Sequence, residues 1–131
     1  MNNTLIKNCN TLALLHLPKH PQYSYYPHYS FIIQHNTLIE WGTNMAGLPP
    51  AHFGYQSQSR APKLHAELVA YRKARGLLKN SKPFEVYNIR LNRQGSVKLS
   101  APCGVCQQWL ASVGCSIVWF TTDYGIGKIR L

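Results

Sequence analysis

Two short segments hold the residue types from which a hydrolytic metal site is made: His65-Ala66-Glu67 and Pro102-Cys103-Gly104-Val105-Cys106. One imidazole and two thiolates make a tetrahedral zinc set whose fourth position stays open for water, the arrangement of zinc that does chemistry. Glu67 is not required as a ligand, so its carboxyl is free to carry protons to and from the substrate. The expectation is one zinc per chain, bound by His65, Cys103 and Cys106, with Glu67 as the proton shuttle. Each half alone is ambiguous. A Cys-x-x-Cys also occurs as a redox pair, and an isolated His on a partly apolar helix is usually structural. A redox pair belongs after a first strand, whereas these cysteines come late and follow a His-x-Glu that a redox role leaves unexplained.

Such a site exists only if the chain brings the two segments together. The three-residue spacing puts Cys103 and Cys106 on one face of a helix, and Pro102 suits a helix opening because its missing amide hydrogen is not needed there. Pro62 precedes His65, and Leu64, Leu68, Tyr71 and Leu78 follow at helical spacing. Both half-sites are therefore expected at helix N-termini, whose positive dipole ends favour thiolates and a metal-held water that has lost a proton.

The elements around them can be read in order. Leu5, Ile6, Cys9, Leu12, Ala13 and His16 recur as in an amphipathic helix over about residues 4 to 16. Pro18, Pro21 and Pro27 break regular structure, which makes Lys19 to His28 a loop rich in Tyr and His. Its Tyr23, Tyr25 and Tyr26 have two readings: stacking on unpaired bases, worth roughly 1–3 kcal/mol per base, or packing the loop onto the domain. Tyr29 to Gln34 and Thr37 to Trp41 form a strand pair turning at His35-Asn36, ended by Gly42-Thr43-Asn44. A long Pro- and Gly-containing stretch, Met45 to Pro62, leads to the His65 helix, which closes between Gly76 and Asn80. Glu85 to Leu91 is a third strand and Asn92 to Ser96 a turn. The Cys103 helix runs to Val113, with Gly114 past its end. Ser116 to Thr121 is a buried strand, and Asp123-Tyr124-Gly125 turns the chain into a last strand antiparallel to it.

At 131 residues the chain is long enough for one domain with a real core, and no second domain fits. It has no apolar run long enough to span a bilayer, and Met1-Asn2-Asn3-Thr4 lacks the features of a secretory signal. A cytoplasmic location is expected. With two of the four cysteines on zinc, Cys9 and Cys115 are left as buried thiols, consistent with a reducing compartment. Fourteen Lys and Arg against four Asp and Glu make a net charge of +10. Ten of those cations lie between Arg60 and Lys98, where Glu67 and Glu85 are the acids. Either they meet a polyanion, with Arg72, Arg75 and Arg93 as contacts, or they are the solvated face of the His65 helix.

With motifs and elements in this order, the chain resembles the cytidine deaminase superfamily over nearly its whole length, most specifically at His65-Ala66-Glu67 and Ser100-Ala101-Pro102-Cys103-Gly104-Val105-Cys106. The resemblance implies an α/β fold of three layers, a five-stranded mixed sheet between helices. It implies zinc on His65, Cys103 and Cys106, and Glu67 moving a proton from water to base. It also implies hydrogen bonds to the base from the backbone of Ala66 and of Ala101 or Cys103, and a sugar contact from Asn44 in a Gly-x-Asn loop. Gln107 stands where free-cytidine deaminases carry Arg, and His65 where their small members carry Cys. Leu68-Val69 replaces the Asn-Ala common in deoxycytidylate deaminases. The antiparallel ending differs from tRNA adenosine and vertebrate polynucleotide editors and is similar to that of short phage and bacterial toxin deaminases. The expected activity is therefore deamination of cytosine in single-stranded nucleic acid, with Tyr25 and Tyr26 beside Arg72, Arg75 and Arg93 as contacts. The alternatives are a deaminase of free cytidine, deoxycytidine or a nucleotide, and a silent zinc module that only grips nucleic acid.

Overall fold

The computed structural model describes residues 1–17, 27–46, 63–92 and 94–131. The first helix, α1 (Asn3–Leu15), begins where expected because the Asn2 side chain accepts the Leu5 N–H at 2.8 Å. It buries Leu5, Cys9 and Ala13, one residue per helical turn. Strands β1 (His28–Gln34) and β2 (Thr37–Thr43) form the expected hairpin. Its turn residues His35 and Asn36 have φ of 54° and 56°, the left-handed pair that matches the twist of two antiparallel strands.

The sheet continues through β5 (Phe84–Leu91), β7 (Cys115–Thr122) and β8 (Gly125–Arg130), in the order β2-β1-β5-β7-β8. Only β5 and β7 run parallel within it, and β7–β8 is antiparallel as expected. Two features depart from the sequence reading. A short strand β6 (Val97–Lys98) adds to β5 as a sixth member, so the turn before it is part of a small hairpin. Two-residue strands β3 (Met45–Ala46) and β4 (Lys63–Leu64) pair with each other and tie together the two ends of the segment between them.

Helices α2 (Ala66–Ala74) and α3 (Gly104–Ser112) lie together on one face of the sheet, and α1 lies on the other. Alternation along β1 and β5 divides the core accordingly. Tyr29, Phe31, Ile33, Tyr87 and Ile89 pack with α1, while Ile32, Phe84 and Val86 pack with Leu68 of α2 and Trp109 and Leu110 of α3. Tyr71 joins the latter layer, stacked on Phe84 and set edge-on to Trp109. Helix α2 rests directly on β2 at Gly42, where a Cβ would come within 2.6 Å of the Ala70 nitrogen. A side chain there would push α2, and the residues that open it, off the sheet.

Chain direction then decides where the helices start. Helix α2 leads straight into β5 and runs back along it, so it begins over the carboxyl end of that strand. Helix α3 leaves from that same end and returns toward the start of β7. Both N-termini therefore meet at one edge of the molecule.

Candidate metal and proton-transfer site

At that edge the two half-motifs come together. One ligand atom from each of His65, Cys103 and Cys106 lies within 4.8 Å of the others, and His65 Nδ1 is 3.2 Å from Cys106 Sγ. Zinc bonds of ordinary length in tetrahedral geometry would space such donors by roughly 3.5–3.8 Å, so the trio closes on an ion with shifts of about 1 Å. The donor set and its spacing fit zinc.

The local structure differs from the helix-face expectation in a useful way. His65 and Cys103 are not in the helices; each is the N-cap residue, in extended conformation. Cys103 Sγ itself accepts the Cys106 N–H at 3.4 Å, so Pro102 sits one residue ahead of the cap rather than inside the first turn. A sulfur in that place is directed at the amides that open the helix. Gln107 braces the same turn by donating from Nε2 to the Pro102 carbonyl at 3.1 Å. The other two cysteines are different. Cys9 and Cys115 are buried free thiols, and burial pushes each up to about 12.

Glu67, in the first turn of α2, is 1% exposed, and its Oε1 is buried with no hydrogen-bond partner among the described residues. A buried polar atom without a partner costs about 1–3 kcal/mol. Surface acids at helix starts are common, but a buried one with an unbonded oxygen calls for a ligand.

Asn44 Oδ1 accepts the His28 N–H at 3.0 Å, and the Asn44 N–H donates to the His28 carbonyl at 3.1 Å. The side chain is thus fixed with its amide NH2 uncommitted among the described residues. The register of β3 with β4 pairs Met45 with Leu64, so its next step sets Asn44 opposite His65. Ala66 opens α2, where an amide has no intrahelical acceptor, and Ala101 is exposed just before Pro102. Beneath them a buried polar network joins Ser30, Asn88, Ser100 and Thr121. Ser30 Oγ donates to Asn88 Oδ1 at 2.6 Å, and Ser100 Oγ donates to the Asn88 carbonyl at 2.8 Å.

Other expected contacts fall elsewhere. Arg72 and Arg75 are exposed at the far end of α2, about 10–15 Å along the axis from His65 at 1.5 Å per residue. Arg75 lines a cleft of about 360 Å³ with Lys79, Lys82, Tyr71 and Val113, at the pole opposite the metal ligands. Tyr25, Tyr26 and Arg93 lie outside the described residues.

His28, expected at the end of a loop, is the first residue of β1, on the face it shares with Ser30 and Ile32. Its Nε2 is buried without a hydrogen-bond partner among the described residues. Burial holds its imidazole below the ordinary range, with Glu67 pulling it up and Arg90 and His65 pushing it down. Only the alternation Ser30, Ile32 extended backwards by one step would have placed it here.

No protein-family model matches the sequence, and comparison with curated proteins finds no match. Among solved structures, the chain is similar to a cytidine deaminase from Mycobacterium leprae, with TM-score 0.55 and 20% identity over 96% of this chain and 91% of that one. It is similar also to a cytidine deaminase from Mycobacterium tuberculosis, with TM-score 0.53 and 18% identity over 95% of this chain and 86% of that one. The likeness is one of fold: the chain has a cytidine deaminase-like architecture. Among the described residues no helix is long and apolar enough to cross a membrane.

Proposed function

We propose that this protein is a zinc-dependent hydrolase that converts cytosine to uracil in single-stranded nucleic acid. The observation that carries the reading is the Glu67 oxygen, buried and without a hydrogen-bond partner among the described residues, at the start of the helix that His65 caps, with Cys103 and Cys106 completing the donor set. A structural zinc site has no use for that carboxylate. Zinc held by His65, Cys103 and Cys106 would bring a water near neutral pKa and act as Lewis acid beside the base.

The chain's own residues do the rest. Glu67 takes a proton from the water and delivers it to the ring nitrogen next to carbon 4, which makes that carbon electrophilic. A carbon–oxygen bond forms there, the bond to the exocyclic nitrogen breaks, and Glu67 passes the second proton to the leaving ammonia. The Ala66 N–H and the Ala101 backbone hold the base edge. Asn44, anchored through its Oδ1, donates its amide hydrogens to the sugar.

Two observations favour a polymer. Fourteen cations against four acids is an excess suited to a phosphate chain, and a base must leave its stack to reach a carboxylate this deeply buried. Incubation with single-stranded DNA, single-stranded RNA, duplex DNA and free nucleosides and nucleotides, read by chromatography, tests the reading. Uracil should form in one or both single strands. Conversion confined to free cytidine or deoxycytidine would replace the polymer by a salvage substrate.

A further inference from the structure

We propose that the cleft between the end of α2 and the start of β5 is a second contact for the nucleic-acid strand, one that holds its phosphate backbone far from the reacting base. The inference rests on the reading above for the kind of strand and on the cleft's own residues for the site. The cleft measures about 360 Å³, and Val113 and Gly114, between α3 and β7, form its far wall. Strand β5 runs from it to the metal end of the molecule over eight residues, roughly 23 Å.

Lys79 and Lys82 line the cleft, and among the described residues no acid does. Their ammonium groups have neither an ion pair nor a hydrogen bond among the described residues. Glu85, the acid nearest in sequence, is on the other face of the sheet and accepts the Trp119 indole N–H at 3.0 Å. Cations near a helix end can serve the helix itself, since each carboxyl end carries about half a negative charge. The ends of α2 and α3 therefore amount to about one charge, which Lys79 and Lys82 already exceed. The chain also covers the last carbonyls by itself: Ala74 accepts the Leu77 and Leu78 N–H, Trp109 that of Val113, and Ala111 that of Gly114. Positive charge is left over for a ligand.

The two lysines are carried on a turn whose shape is fixed in advance. The Lys82 N–H donates to the Lys79 carbonyl at 3.4 Å, and Ser81 inside this turn has a left-handed φ of 63°. Gln34, buried at the end of β1, clamps it from below. Its Oε1 accepts the Lys79 N–H at 2.8 Å, and its Nε2 donates to the Lys79 and Lys82 carbonyls at 3.3 and 3.2 Å. The amides of Asn80 and Ser81, which also line the cleft, have no acceptor among the described residues. They add two donors beside two charges, the arrangement that takes an anion. A turn held this way has little order left to lose on binding. Tyr71, Leu78 and Val113 add an apolar wall for sugars and bases, and a net charge of +10 favours a polyanion as the occupant.

The test titrates isotope-labelled, zinc-loaded protein with an oligothymidylate of about fifteen nucleotides, which offers the metal site no cytosine, and follows amide signals by NMR. The Asn80 and Ser81 signals should shift as the strand binds. By fluorescence anisotropy of the same strand, Lys79→Gln with Lys82→Gln should weaken binding about tenfold and lower the salt slope by about 1.4 for two contacts. Lys79→Arg with Lys82→Arg should keep both values. Lys7→Gln with Lys128→Gln removes equal charge from α1 and β8 and should change the affinity far less. No binding at low salt, unmoved Asn80 and Ser81 signals at saturation, or equal losses from the two glutamine pairs would overturn the proposal. Should the Lys79 and Lys82 variant unfold, the wild-type amide signals decide alone. Binding in the cleft without uracil from any substrate overturns the activity and spares the cleft; uracil from a protein whose Asn80 and Ser81 signals stay fixed does the reverse.

Discussion

The two faces of the sheet are made from the same strands and are chemically opposite. On the α1 side, Leu5, Cys9, Ala13, Phe31, Ile33 and Ile89 form a layer closed by aromatic contacts, with Phe31 stacked near Trp41 at 5.9 Å. On the α2–α3 side, an equally dense apolar layer gives way, at the carboxyl end of β5, to His28, Asn44, Glu67, Asn88, Ser100 and the metal trio. The lesson is that one face is spent on stability alone, and this lets the other hold groups that are individually unfavourable in a core. Cysteine shows the contrast within one residue type: Cys9 is sealed under α1, while Cys103 caps a helix beside two other ligands.

The largest effect should come from Glu67→Gln. The amide keeps the shape and cannot carry protons, so conversion should fall by roughly 10²–10⁴-fold or more while zinc content by elemental analysis stays at one per chain. A variant with zinc and near-normal conversion would remove the functional face from the comparison. The cysteines give the next test. At pH 8, a thiol pushed up to about 12 is ionised to roughly one part in ten thousand, so in metal-free protein iodoacetamide should label Cys103 long before Cys9 or Cys115. Peptide mapping reads the order, and equal labelling of all four in folded protein would contradict it.

On the opposite face, Phe31→Ala should cost about 3–5 kcal/mol in urea unfolding, because it opens a cavity between Trp41 and Tyr87. The fraction still folded should keep its zinc and its conversion rate. A selective loss of zinc would mean that the faces are not separable. The smallest effect concerns His28. Burial lowers its pKa below the ordinary 6.5, so below that pH the unfolded chain binds a proton that the folded one refuses. Stability is therefore full above about 6.5 and falls as pH drops toward the lowered value. His28→Asn should flatten that stretch of the stability curve in metal-free protein, and an equally steep fall in the variant would deny the burial.

Much of this was legible in the sequence because it is local. The Cys103–Cys106 spacing, the His-x-Glu, the His35-Asn36 turn and the antiparallel ending all depend on residues within a few positions of one another. What escaped depends on cross-strand register. The pairing of His28 with Arg90 and the β3–β4 tie join positions far apart in sequence, and no local pattern reports which residues face each other. Arg72 and Arg75 are close to Glu67 in sequence, yet helical rise carries them to the far end of α2. The cap roles of His65 and Cys103 differ from the expected first-turn positions by one residue, since both residues also end the preceding extended chain.

The most direct measurement is a time course of uracil formation in a cytosine-containing single strand, with zinc-loaded protein, chelator-stripped protein and the stripped protein reloaded with zinc. Uracil should accumulate with the loaded and reloaded forms, stop with the stripped form, and appear with one ammonia per base converted. Folded protein carrying one zinc per chain that leaves cytosine intact in strands, nucleotides and nucleosides alike would contradict the assignment of this site to deamination.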